Sequence, residues 1–526
     1  MPTHNSSQPS IDFSHLSLTW PDGTVCFNNL SGAFSARLTG LIGDNGSGKS
    51  SLLKTLAGLI APTSGQIARP EKVGYVPQDL GLSTHTTLAD IFGITDILQA
   101  ISRVEAGEYS EDLFDIIGTE WDVAEQVHAT LTVHGFQPAQ RLDPTELMAL
   151  PLIKLSGGEA VTAALIGATW RRPDFLLLDE PTNNLDRAGR LRLLQLLRAV
   201  PYPAVVVSHD RELLEQVDTI AELRNGTLRF IEGNFSTFEQ AIEAEQQSAE
   251  RALRQAKSQE KQEKQDRIVT EEKLAKSQKR GKKFAENKRK PGMAMGLNKM
   301  SAERSATKLR GIHEGRLDDA AAARASAEKQ IRQEDHIYLS LPETEIPARK
   351  KVLELARLVE DEELPEQVVL AGPERLRVSG PNGSGKTTLL KALVKHPAEP
   401  AHGTPSPFYR VDFRLTNFGY IPQRIELPEH LNVIEIVAET KPDLTEQQIR
   451  DFLARLLFRR DRVLLPASAL SGGERLRVAL ARVLLSSPAP QLLILDEPTN
   501  NLDLASVRWL VQALNSFAGA LVVVKP

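Results

Sequence analysis

Two stretches of this chain combine the residue types that hold a phosphate chain and hydrolyse it. Gly43-Asp44-Asn45-Gly46-Ser47-Gly48-Lys49-Ser50 and Gly380-Pro381-Asn382-Gly383-Ser384-Gly385-Lys386-Thr387 both fit G-x-x-x-x-G-K-[ST]. At this spacing the glycines let consecutive backbone N–H groups turn inward around phosphate oxygens. Lys49 and Lys386 would carry a mobile positive charge to the β- and γ-phosphates, and the Ser50 and Thr387 hydroxyls are suited to ligate Mg2+. Further along, Leu178-Asp179-Glu180 and Leu495-Asp496-Glu497 each close an apolar run. Asp179 and Asp496 are expected in the shell of Mg2+, with Glu180 and Glu497 orienting and deprotonating the attacking water. Gln78 and Gln423, which end two Tyr-x-Pro-Gln segments, can reach both the ion and the water. His209, in Ser208-His209-Asp210, follows the apolar run 204–207 and is placed to meet the γ-phosphate.

The elements that must position these groups repeat. Residues 11–240 and 346–526 each run apolar strand, phosphate loop, helix, Tyr-x-Pro-Gln, Leu-Ser-Gly-Gly-Glu and a buried strand ending in Asp-Glu-Pro. The runs 175–178 and 492–495 are continuously apolar, as parallel strands covered on both faces require. Strands of this kind alternating with helices predict an α/β fold with two P-loop NTPase domains. Leu-Ser-Gly-Gly-Glu, at 155–159 and 470–474, opens a helix and cannot line its own domain's phosphate loop. Ser156 with the N–H groups of Gly157 and Gly158, and Ser471 with those of Gly472 and Gly473, instead make a second anion cradle at a helix N-terminus. Two composite ATP sites are expected: Lys49, Gln78, Glu180 and His209 with 471–474, and Lys386, Gln423 and Glu497 with 156–159.

Composition narrows the setting. A chain of 526 residues with 41% hydrophobic and 25% charged residues has room for two or more globular domains. Cys26, the single cysteine, excludes a disulfide framework, an iron–sulfur cluster or a cysteine zinc site and suits a reducing cytoplasm. No apolar run approaches the length of about 18 residues that a membrane span needs. The polar stretch 1–10 lacks a signal-peptide core and reads as a disordered tail. The first repeat is longer by about 30 residues between its Gln and its Ser-Gly-Gly, which predicts a helical arm within about 95–140.

Between the repeats, 241–345 is rich in Ala, Glu, Gln, Lys and Arg, all good helix formers. Proline and glycine are absent from 239 to 280, and apolar positions recur at helical spacing: Phe238, Ile242, Ala249, Leu253 and Ala256 going out, Leu309, Ile312, Leu317 and Ile331 coming back. A long α-helical hairpin linker follows, with its bend near 291–296. The chain is nearly neutral at −5, yet 273–310 holds 13 Lys and Arg against two acids. Lys282, Lys283, Lys288, Arg289 and Lys290, at the bend, are therefore expected to contact an RNA phosphate backbone, with no base-reading motif in sight.

These residues resemble the ATP-binding cassette superfamily, and most closely its ABC-F subfamily, with tandem cassettes, no transmembrane domain, an arm in the first cassette and a long charged linker. The resemblance covers nearly the whole chain. Its specific motifs are the phosphate loops, the Leu-Ser-Gly-Gly-Glu signatures and Asp-Glu-Pro-Thr-Asn-Asn-Leu-Asp at 179–186 and 496–503. It implies a monomeric ATPase that pairs its own cassettes and associates with the ribosome. The linker would reach near the peptidyl-transferase region to contact tRNA and rRNA, in translation regulation or in antibiotic resistance by ribosome protection. Three departures weaken one composite site. Pro526 stands where the first repeat has His209, in a second domain expected to be shortened at its C-terminus. Trp20 could stack on adenine in the first repeat, but no aromatic residue or histidine lies between 350 and 386. The first signature continues Glu159-Ala160-Val161-Thr162 where the second reads Glu474-Arg475-Leu476-Arg477. Two alternatives stay open at this point: an ATPase subunit serving a separate membrane permease, and a DNA-associated protein.

Overall fold

The computed structural model describes residues 9–78, 86–183, 185–286, 292–330, 342–357, 367–381, 383–395, 409–500 and 502–525. In the first cassette β1 (Ile11–Thr19), β2 (Val25–Phe34), β3 (Leu38–Ile42), α1 (Lys49–Ala57), β4 (Ser64–Ala68) and β5 (Val73–Val76) lead into a helical region. That region comprises α2 (Leu88–Phe92), α3 (Thr95–Glu105), α4 (Glu111–Ile117), α5 (Val123–Val133), α6 (Pro144–Met148) and α7 (Gly157–Trp170). Then come β6 (Phe175–Asp179), α8 (Arg187–Ala199), β7 (Ala204–Val207), α9 (Arg211–Leu214), β8 (Thr219–Arg224) and β9 (Thr227–Glu232). The main sheet has the order β5-β6-β7-β3-β8-β9, parallel except for β9. β3, β6 and β7 are buried along their whole length, as their mostly apolar sequences require, with Thr39 and the terminal Asp179 buried among them.

β1 instead alternates buried and exposed residues and pairs antiparallel with β2 and β4 in a second, three-stranded sheet. The motifs and apolar runs do not predict this sheet. Phe13, Leu16, Phe27 and Phe34 from it meet Leu52 and Leu56 of α1 and Phe175 of β6 in one core. The stretch expected as an arm folds as helices, and α3 and α4 close a small core of their own around Ala100, Leu113 and Ile117.

The second cassette follows the same plan. β10 (Lys351–Arg357), β11 (Gln367–Ala371), β12 (Arg375–Ser379), α12 (Lys386–Lys395), β13 (Tyr409–Arg414) and β14 (Phe418–Ile421) precede α13 (Val433–Ala438) and α14 (Glu446–Arg455). After them come α15 (Gly472–Leu484), β15 (Leu492–Asp496), α16 (Leu504–Asn515) and β16 (Ala520–Lys525). Its parallel sheet has the order β12-β16-β15-β14, matching β3-β7-β6-β5.

α10 (Phe235–Glu286) and α11 (Gly292–Gln330) pair antiparallel. At 52 residues α10 is about 80 Å long. Thr270 Oγ1 meets His313 Nε2 at 3.2 Å, Arg324 Nη1 donates to Glu260 Oε2 at 3.2 Å, and Lys257 Nζ lies 3.9 Å from Glu328 Oε1. Position numbers rise on one helix as they fall on the other. Leu253 and Ala256 lie on the covered face of α10, and Leu317, Ala320 and Ala327 on that of α11. Glu260 is shielded mainly by the long side chains of Lys264 and Arg324 that bind it.

Two expectations change here. Gly292 and Gly296 lie inside α11 rather than in the bend. A helical glycine costs about 1 kcal/mol, which the good helix formers Met293, Ala294, Met295 and Leu297 offset. Leu309 and Ile312 stay largely exposed, because α11 turns the face of His313, Leu317 and Ala320 toward its partner. Ile331, residues 287–291 with Lys288, Arg289, Lys290 and Pro291, residues 1–8 of the tail, Asn382 and Pro526 lie outside the described residues.

Candidate active site

Both phosphate loops take the cradle shape that their glycines permit. Gly46 and Gly48 have φ of 81° and 95°, and Gly383 and Gly385 have 80° and 84°, a left-handed backbone that side chains disfavour. Lys49 Nζ donates to the carbonyls of Gly43 (2.8 Å) and Asp44 (3.0 Å), so its ammonium lies across the mouth of the loop. Lys386 Nζ does the same to Gly380 (2.6 Å) and Pro381 (2.9 Å). Burial holds the Lys49 ammonium below its ordinary pKa, against the pull of Glu180, Asp503, Asp44 and Asp179. Gly43 is required for another reason: a Cβ there would stand 2.3 Å from the Leu223 carbonyl oxygen of β8, whereas at Gly380 it would meet only the Ser384 hydroxyl, at 2.8 Å. Gly43→Ala should therefore destabilise its cassette by roughly 1–3 kcal/mol, lowering the melting temperature and the ATP affinity of that site. Gly380→Ala should do less. Equal losses in thermal melts and nucleotide titrations would count against a backbone clash at Gly43.

Asp179 ends β6 beneath the loop, and Ser50 Oγ donates to its Oδ1 at 3.0 Å. Tyr75 Oη lies 3.4 Å from Asp179 Oδ2. Burial raises the Asp179 carboxyl above its usual range. The hydroxyl and the carboxylate thus face each other, and Ser47 Oγ is buried without a hydrogen-bond partner. These oxygens fit a hard divalent cation and a phosphate chain.

Glu180 and Glu497 follow directly, both with left-handed backbone, φ 49° and 45°. Such conformations in non-glycine residues gather at active sites. Glu180 N–H donates to Val207 O at 3.0 Å, and Glu497 N–H to Val524 O at 3.1 Å. This register makes Val524 the counterpart of Val207 and Pro526 the counterpart of His209. Burial pushes the Glu180 carboxyl up to about 7 and the His209 imidazole down to about 4. His209 Nε2 lies 3.1 Å from Glu180 Oε1. The ring is neutral at pH 7 and not aligned for a hydrogen bond, so the pair is a polar contact and both ring nitrogens lack a hydrogen-bond partner. The loop bearing His209 is pinned by a 2.9 Å contact between Ser208 Oγ and Thr182 Oγ1. In the second site Asp496 is raised to about 6, first by burial and then by Glu497.

The two cassettes meet at the first phosphate loop. Asp503 caps α16 by accepting from Ser506 N–H at 2.8 Å, and its other oxygen accepts from Asn45 N–H at 2.9 Å. Burial would raise this carboxyl, but the bonds from Asn45 and Ser506 outweigh it and hold it below its usual range. A Cβ on Gly473 would stand 2.3 Å from Ser506 Oγ, so the signature helix α15 packs directly on this same turn. The second signature is tied in this way to the loop of Lys49. Ser156 and Ser471 cap α7 and α15 through reciprocal bonds with Glu159 and Glu474. Arg475 forms two bonds with Glu429, at 2.9 and 2.8 Å, and so does not add a free cation to the cradle.

Gln423 Nε2 donates to Glu497 Oε2 at 2.9 Å, while Gln78 is exposed just after β5. Trp20, after β1, is 37% exposed. Lys282 lies in α10, as does Lys283. Asp503 was missed in the sequence. Its signal was an Asp closing the octapeptide just before a helix, which reads only as a cap.

Paired phosphate loops, each under a parallel sheet with an Asp-Glu strand end and accompanied by a signature helix, define a tandem ATP-binding cassette ATPase. The family model described as ABC transporter matches residues 27–183 and 368–500. The chain is 30% identical over 520 residues to the probable ATP-binding protein YbiT of Escherichia coli O157:H7, covering 95% of this chain and 90% of that one. It is 32% identical over 536 residues to the tylosin resistance ATP-binding protein TlrC of Streptomyces fradiae, covering 96% and 92%. With ATP-binding cassette sub-family F member 3 of Mus musculus the identity is 30% over 515 residues, 93% of this chain and 65% of that protein. A chain in the crystal structure of the complex of archaeal ribosomal stalk protein aP1 and archaeal ribosome recycling factor aABCE1 shares the fold, with a TM-score of 0.54 at 18% identity over 97% of this chain and 84% of that one. The protein belongs to the ABC-F subfamily of ATP-binding cassette ATPases. Among the described residues no helix is long and apolar enough to cross a membrane.

Proposed function

We propose that this ATPase works on the ribosome in the cytoplasm, as a monomer whose cassettes close on ATP and open after hydrolysis. The observation that carries the reading is the antiparallel pair of α10 and α11, and the sequence from 279 to 290, which includes the end of α10, holds the densest run of basic residues in a chain of net charge −5. Such a run matches a phosphate backbone. The hairpin's Lys282, Lys283, Lys288, Arg289 and Lys290 contact rRNA and tRNA backbone, in translation regulation or ribosome protection. The likeness to a tylosin resistance protein supports the second.

At each site Lys49 or Lys386 holds the β- and γ-phosphates, and Trp20 stacks on adenine in the first. Mg2+, held by Ser50 and Asp179 with Gln78, or by Thr387 and Asp496 with Gln423, supplies charge neutralisation on the phosphates. Glu180 or Glu497 takes the proton of the attacking water, and His209 touches the γ-phosphate at the first site. Ser471, Gly472 and Gly473 close over the first site, and Ser156, Gly157 and Gly158 over the second, so closure depends on the γ-phosphate.

Replacing Lys282, Lys283, Lys288, Arg289 and Lys290 with Gln tests the reading. Ribosome binding should weaken, and its log–log salt slope should flatten by roughly 0.7–0.9 for each phosphate no longer neutralised. ATP hydrolysis without ribosomes should change little, since all five residues lie outside the nucleotide-binding motifs. An unchanged salt slope would assign these charges to solvation alone.

A further inference from the structure

The two catalytic glutamates occupy the same turn but are held differently. In both, the residue three positions on closes the turn: Asn183 N–H donates to Glu180 O at 3.2 Å, and Asn500 N–H to Glu497 O at 3.1 Å. Beyond that the sites diverge. Glu180 directs its carboxylate at His209, 3.1 Å away. At the second site the position matching His209 is Pro526. Glu497 Oε2 accepts from Asn500 Nδ2 at 2.6 Å and from Gln423 Nε2 at 2.9 Å.

We propose that Asn500 is a positioning residue for Glu497. Its side-chain amide supplies, at the site without a switch histidine, a hydrogen-bonded hold on the general base, where the first site has a polar contact to His209. A carboxylate on a left-handed residue at a strand end has free χ rotations, and a base that swings away from the attacking water loses rate without losing ATP. The 2.6 Å bond, closed within one turn, removes that freedom and leaves Oε1 for the water. At the first site the Glu180 carboxylate faces His209 instead, and among the described residues no bond joins it to the Asn183 amide. Identical residues in a repeated motif thus do different work.

The test uses the full chain with Glu180→Gln, which silences the first site, and follows single-turnover hydrolysis of radiolabelled ATP. Asn500→Asp keeps the shape and turn of the residue but replaces the donor with a like charge. It should lower the rate by about tenfold or more, within the ~10²-fold that a misplaced catalytic group can cost. Asn500→Ala should lower it similarly. Binding of a fluorescent ATP analogue, measured without Mg2+ so that nothing is hydrolysed, should keep its affinity, and the melting temperature should hold. Asn183→Asp in a Glu497→Gln background should cost the first site distinctly less. Hydrolysis at the parent rate in Asn500→Asp, an equal loss from the Asn183 variant, or a loss explained by weaker nucleotide binding would each overturn the assignment.

Discussion

Glu180→Gln alone should remove most ATP turnover, and Glu497→Gln alone a minor share. The two sites have equal phosphate loops but unequal catalytic surroundings. At the first, Glu180 stands against His209, and Asp503 of the other cassette bonds to the loop at Asn45. At the second, proline occupies the histidine position, and the sequence from 350 to 386 offers no aromatic ring for adenine. A group that contacts the γ-phosphate matters most as charge develops, so its absence slows hydrolysis more than binding. Loss of a general base costs roughly 10²–10⁴-fold at its own site, so the overall loss reports which site carried the flux. ATP at the second site then persists as a clamp. Single-turnover measurements decide the matter: equal losses would abolish the asymmetry, and a larger loss from Glu497→Gln would invert it.

With both changes combined, hydrolysis should fall by roughly 10²–10⁴-fold at each site while ATP still binds, because neither glutamate contributes to the phosphate loops. The protein should then stay closed. Co-sedimentation with ribosomes should become stable in ATP and disappear in ADP, since a γ-phosphate would add a link between the loop of Lys49 and the signature at Ser471 to the Asp503–Asn45 bond. Equal pelleting in the two nucleotides would argue against engagement gated by closure.

Much of this was legible in the residues because phosphate binding leaves little freedom. Lys49, Ser50, Asp179 and Glu180 sit where their motifs put them, and the all-buried strands β6 and β15 follow from uninterrupted apolar sequence. The antiparallel sheet of β1, β2 and β4 was not legible. Its register is broken by bulges between Phe13 and Leu18, and such irregular alternation gives a weak period-two signal. Asp503 was hidden because a cap uses one carboxylate oxygen, and nothing local says where the other points. Gln423, 74 positions from Glu497, was grouped with it by the repeat and is adjacent in space, whereas the bond from Asn500 was hidden because nothing local says where that amide points. On the hairpin, Leu309 and Ile312 fit a helical period as well as the true face does, and the choice was made by His313 finding Thr270.

Those polar rungs also govern how the hairpin can change length. A seam of alanine and leucine alone would tolerate one helix sliding past the other by a heptad, roughly 10 Å, because each small apolar residue would meet another. Glu260 with Arg324, and Thr270 with His313, oppose the slide: shifted one way, Glu260 would come opposite Leu317 and Arg324 opposite Leu253, and shifted the other way Arg324 would come opposite Arg267. A deletion or insertion confined to one helix would lose the same contacts. Matched heptads added to or removed from both helices keep every rung, so the reach that preserves these contacts varies in steps of about 10 Å, like a ruler with coarse graduations.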